Sequence, residues 1–177
     1  MIGNRTKAWP LSWLEQCLMR RAPQDDPLSY SALLGSLAAY VIMDLSQAGA
    51  SSGWVVSVGM TVMDTLVMIV FTWTVLMVVK KSPRFIQTLT ALAGTGAVLG
   101  VLGLPLVYQA AKAHQADGPS GALVLGWLVL LAWSIAVQAH IFRHALSTRY
   151  GIGLMVAALH TVLAISLLET LFPRAAG

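Results

Sequence analysis

Two histidines stand four residues apart in AVQAHIFRHAL, residues 136–146, with an arginine between them. At that spacing His140 and His144 share one face of a helix, one turn apart. Two imidazoles so placed supply half of a zinc site, which needs a third or fourth ligand. The chain has no HExxH pattern, and no Cys, Asp or Glu follows within residues 143–151. A helix leaving a membrane accounts for the same residues. The carbonyls at a helix C-terminus carry partial negative charge and favour Arg143, His144 and Arg149 without any metal. His140 and His144 are therefore expected to mark a helix end at the cytoplasmic face, with no metal bound. Haem ligation by His140 and His160 is awkward, because the two differ by several residues in depth.

Few other side chains can do chemistry inside an apolar segment. Asp64 and His160 each fall near the middle of one. A charge at such a position costs about 2.5–3.5 kcal/mol on insertion scales. The two are a candidate intramembrane pair, in which each would lower the other's desolvation cost. A clasp between two helices, or no contact at all, is expected ahead of one rung of a proton relay. Asp44 and Glu169 fall near the outer ends of their segments and are candidate outer acidic groups. No Walker A, dinucleotide fingerprint, GxSxG or CxxC pattern is present, so neither a catalytic residue nor a cofactor is expected.

The elements that carry these residues are long apolar blocks. The 177 residues are 57% hydrophobic and 10% charged, against about 25% charged in a soluble domain. Mean hydropathy is +0.74. Five blocks, 28–48, 54–79, 86–111, 121–142 and 151–171, each reach about the 20 residues that a helix needs to cross a bilayer. Only helices satisfy their own backbone in lipid without closing into a barrel. The fold expected is all-α, a polytopic membrane bundle of five spans over residues 28–177. Asp26-Pro27 is expected to start the first span, since proline suits a first helical turn.

The net charge is +4, but the charges lie in short clusters between the apolar blocks, where a membrane protein carries its topology signals. Nucleic acid is not an expected partner. Arg5, Lys7, Arg20, Arg21, Lys80, Lys81, Arg84, Arg143 and Arg149 all fall on one side of a five-span layout, with Lys112 and Arg174 on the other. The asymmetry predicts a cytoplasmic N-terminus and an outward C-terminus. Residues 1–27 are expected to form a cytoplasmic segment. Within it, residues 9–21 place Trp9, Trp13 and Cys17 at four-residue spacing beside Leu14 and Leu18, which predicts an amphipathic helix on the membrane surface. Cys17 is the only cysteine, so no intrachain disulfide forms. Gly96 and Gly100 make a GxxxG, with Gly94 and Gly103 nearby. This smooth face is expected to pack against another helix of the bundle. Pro105 is expected to kink the same helix.

The stretches RRAPQDDPLSYSALL, before the first span, and WSIAVQAHIFRHALSTRYGIGLMVAAL, across the last two, carry a loose W…H…RHAL…G…A pattern. With the five-span, N-inside layout and short loops, they resemble the Yip family of membrane proteins and its bacterial inner-membrane relatives. The resemblance implies membrane organisation or scaffolding in a bacterial inner membrane and carries over no catalytic residue. The function expected is a non-enzymatic integral membrane protein, an accessory or scaffold subunit partnered by the bilayer and by another membrane protein or itself. The alternative is a small transporter or proton-coupled subunit using intramembrane Asp and His.

Overall fold

The computed structural model describes residues 9–26, 28–50, 53–113 and 120–173. Arg5, Lys7, Pro27, Arg174 and the polar loop at 114–119 lie outside the described residues, as does the side chain of Trp9. The chain forms a short helix α1 (Trp9–Cys17) and five long ones: α2 (Tyr30–Gly49), α3 (Trp54–Val78), α4 (Phe85–Ala113), α5 (Gly121–Leu146) and α6 (Tyr150–Leu171). The five long helices are apolar and long enough to cross a membrane. No strand occurs among the described residues.

The helix ends follow local chemistry. Ser29 caps α2 by accepting a hydrogen bond from the Ala32 amide at 3.3 Å. Helix α2 therefore starts at Tyr30 and not at Asp26-Pro27, because a serine side chain satisfies an orphan amide that proline does not reach. Helices α1, α3 and α5 each end on a left-handed residue that is not glycine: Met19, Lys80 and Ser147. In each, the next amide reaches back five residues, Arg20 to Glu15, Lys81 to Leu76 and Thr148 to Arg143. This closure satisfies the last carbonyls of a helix.

Helix α4 is the most enclosed of the long helices. It packs on α2, α5, α3 and α1, while α6 closes the bundle against α5 and α3. Helix α2 runs parallel to α4, with Tyr40 against Gly96, Met43 against Gly100 and Gln47 near Gly103. The GxxxG face thus serves packing within the chain. A Cβ at Gly96 would sit 2.7 Å from the Tyr40 ring. Helix α4 continues unbroken through Pro105.

The two ends of the bundle differ. Lys80, Lys81, Arg84, Arg143 and Arg149 gather at one, called here the basic end. The main core lies in that half and includes Leu76, Leu89, Val137, Ile141 and Phe142. Arg84 donates to the carbonyls of His144 (3.1 Å) and Ala145 (3.0 Å) and to Ser147 Oγ (2.7 Å). Lys81 donates to the Leu146 carbonyl at 2.7 Å. Cations expected only as topology signals therefore also close the C-terminus of α5, where orphan carbonyls need donors.

Candidate functional site

A cleft of about 350 Å³ lies between α2 and α5, with α4 as its floor. Met68 of α3 and His160 of α6 reach its deep side. Its polar groups come from separate helices: Tyr40, Asp44 and Gln47 from α2, Thr95 from α4, Ser134 and Gln138 from α5, and His160 from α6. The rest of its lining is largely aliphatic, methionine and tryptophan.

Asp64 and His160 share no hydrogen bond, though Asp64 lies within electrostatic reach of His160. Asp64 accepts a hydrogen bond from the Tyr40 hydroxyl. His160 Nδ1 pairs with Gln138 Oε1 at 2.9 Å, and its ring lies 5.0 Å from that of Phe71. The register explains the separation. Helices α3 and α6 are antiparallel, with Gly59 against Phe172 and Phe71 against His160. Asp64 therefore stands seven residues, about 10 Å of helix, further from the basic end than His160.

Asp44 and Glu169 also part company. Glu169 is exposed, whereas Asp44 lines the cleft beside Tyr40. Asp44 lies one turn beyond Tyr40 on the same face of α2, which brings it within electrostatic reach of Asp64. The acidic group that forms is thus Asp44 with Asp64 and Tyr40. Tyr40 and Gln138 were not singled out from the sequence. The one available signal was their spacing from charged neighbours: Tyr40 four residues before Asp44, and Gln138 two before His140.

The threonines separate into two sets. Thr74, Thr88, Thr90, Thr95, Thr161 and Thr170 each donate to the carbonyl four residues earlier. That local bond is the usual fate of a helical hydroxyl. Thr65 and Thr72 on α3 do not make it, and their buried hydroxyls have no hydrogen-bond partner. Thr61 faces Asp44. His160 Nε2 is likewise buried without a partner. With the Gln138 oxygen accepting, His160 Nδ1 carries the proton and Nε2 is an unused acceptor.

His140 and His144 lie on α5, which extends to Leu146, and their rings meet edge-on at 4.6 Å. His140 Nε2 donates to the Arg21 carbonyl at 3.2 Å, which commits that nitrogen to the segment after α1. The His144 carbonyl accepts from Gln24 and Arg84. Among the described residues, no three of His, Cys, Asp and Glu converge as a metal site would need.

Helix α1 is placed differently from a surface helix. The Trp13 ring fills the notch left by Gly94. Cys17 Sγ approaches the Thr95 carbonyl at 3.8 Å, and Trp133 Nε1 donates to the Cys17 carbonyl at 3.0 Å. Gly94 lies nine residues past the start of α4, about 14 Å along the helix axis. The Trp13 and Cys17 face is therefore buried against the bundle, while Leu11, Leu14 and Leu18 face outward. Burial pushes the Cys17 thiol up to about 11. The chain then returns to the basic end, where the Asp26 carbonyl accepts from Gln87 at 2.6 Å. Arg21 is held by Glu15 (3.3 Å) and Asp26 (2.8 Å). Burial raises the Asp26 carboxyl above its usual range, with Arg21 and Gln16 opposing the shift.

Compared with known proteins, the chain matches no family model, no curated protein and no solved structure.

Proposed function

We propose that this chain is a bacterial inner-membrane protein that takes a small ligand or protons into the acidic cleft, as a transporter or a proton-coupled subunit. Its basic end faces the cytoplasm, as the distribution of Lys and Arg implies. The observation that carries this reading is the cleft itself. Asp44 lines a cavity within the span of α2, with Asp64 of α3 in electrostatic reach behind Tyr40, while the half nearer the basic end is packed shut. Ionisable groups at such depth are costly and characteristically line a substrate or ion path.

The test is reconstitution of the purified chain in liposomes loaded with a pH-sensitive dye. Proton flux is expected above that of empty liposomes, falling by more than about tenfold in Asp44→Asn and Asp64→Asn. Flux that is equal in both variants and the native chain would remove the proposal.

A second reading, an accessory or scaffold subunit, draws on the resemblance to the Yip family and on one observation. Along the first part of α3, Trp54, Val55, Val56, Val58 and Val62 are exposed, a surface that suits a partner helix as well as lipid. A stoichiometric second membrane protein in a mild-detergent purification, with no flux, would favour it.

A further inference from the structure

The cleft carries negative charge without a counter-charge. The ion pairs among the described residues belong to Arg21 at the basic end; none involves Asp44 or Asp64. Asp64 accepts the Tyr40 hydroxyl and does not line the cavity, so Asp44 is the carboxylate that reaches it. Thr61 is 3% exposed, and its hydroxyl is turned to the Asp44 carboxylate from α3. The remaining walls near Asp44 are soft and apolar: Met43, Leu99, Leu131 and Trp127.

We infer that this cleft binds a lipophilic organic cation, its ammonium head at Asp44 and its apolar body between Met43, Leu99 and Leu131. The inference rests on the cleft being a ligand site and names the class of ligand. An anion would be repelled by two carboxylates. A neutral ligand would leave Asp44 unpaired in a desolvated site. A bare inorganic cation needs a shell of about six oxygens, carboxylates prominent among them, and Asp44 is the single carboxylate in a largely apolar lining. A volume of about 350 Å³ holds a ring and an alkylammonium group, within the range of small-molecule sites. The Trp127 indole adds a face that attracts cations. Leu128 and Leu131 are exposed beside the cleft, so a lipophilic ligand can enter between α2 and α5 from the bilayer.

The experiment is calorimetric titration of the purified full chain, in mild detergent, with benzyltrimethylammonium chloride. One saturable site per chain is expected, which a large excess of sodium chloride does not empty. Asp44→Asn should weaken binding by more than about tenfold. Leu131→Trp should block it by filling the cavity while leaving the carboxylates in place. Monodisperse elution and an unreactive Cys17 report folding of both variants. Absence of saturable binding to the native chain, equal binding by Asp44→Asn, or displacement by sodium would each overturn the inference. If binding is absent but proton flux still depends on Asp44 and Asp64, only the organic-cation assignment falls. If flux is also indifferent to them, the ligand-cleft reading falls with it.

Discussion

The half of the bundle near the basic end and the half beyond it are made from the same five helices but packed by opposite means. Near the basic end, Thr72, Leu76, Thr88, Val137, Ile141 and Phe142 are fully enclosed. Beyond it, Val124, Leu125, Leu128 and Val129 of α5 and the first turns of α3 are exposed. Side-chain size accounts for the difference. Helix α4 reads TLTALAGT over residues 88–95, and small residues there admit α2, α3, α5 and even α1 at close range. At Gly153 the Ala139 carbonyl and the Arg143 backbone occupy the space of a Cβ, so α6 nearly touches α5. The other half of α5 reads LVLGWLVLLAW over residues 123–133, bulky on all sides, and its neighbours stand off. Between apolar helices in lipid, close packing supplies the attraction that hydrophobicity does not. The half with small residues is therefore the rigid one, and the bulky half is left with a cleft.

Substitutions can break this contrast, beginning with the largest effect. Phe142→Ala empties a fully enclosed site and is expected to cost about 3–5 kcal/mol, read as a fall in unfolding midpoint in detergent. A loss no greater than that of a lining residue of the cleft would show that the two halves are equally loose. Arg84→Ala removes the donors that close α5 and should cost about 1.5–3 kcal/mol, with faster amide exchange confined to residues near Ser147. Uniform exchange along α5 would refute the capping role.

A third measurement uses the native cysteine. Cys17 is buried, with its thiol near 11. At pH 8 only a small fraction is thiolate, so alkylation by a maleimide should be slow. Because that fraction grows about tenfold per pH unit below the pKa, the rate should rise by a similar factor between pH 8 and 9. Gly94→Leu, which displaces Trp13, should abolish the protection. Fast labelling of the native chain at pH 8 would instead return α1 to the membrane surface. The smallest effect is expected at the cleft. Leu131 is already 40% exposed, so Leu131→Ala should change stability by less than about 1 kcal/mol. A larger loss would mean that the cleft is closed in the membrane.

Much of the architecture was readable from composition and spacing. The five apolar blocks gave helices at nearly the expected bounds, because apolar length is a property of each segment alone. The packing use of Gly96 and Gly100 was also readable, since small residues at that spacing serve little else. Less readable were the partners of each polar group. Asp64 and His160 stood as a candidate pair because both lie mid-segment, but depth counted from helix ends ignores the stagger between antiparallel helices. That stagger follows from where Phe71 and Phe172 pack. The amphipathic stripe of α1 was legible as a stripe, and the identity of its apolar neighbour was not. Trp13 finds protein instead of lipid because Gly94 leaves a notch at the right height on another helix.

The sequence by itself determined the number of long helices and the clustering of cations at one end, for each depends on residues near one another in the chain. Only the tertiary structure decided that Tyr40 meets Asp64, that Gln138 meets His160, that Asp44 faces a cleft and that α1 is tucked against α4 and α5. Those outcomes depend on helix register and on side-chain volumes summed across several helices, and no local spacing encodes either.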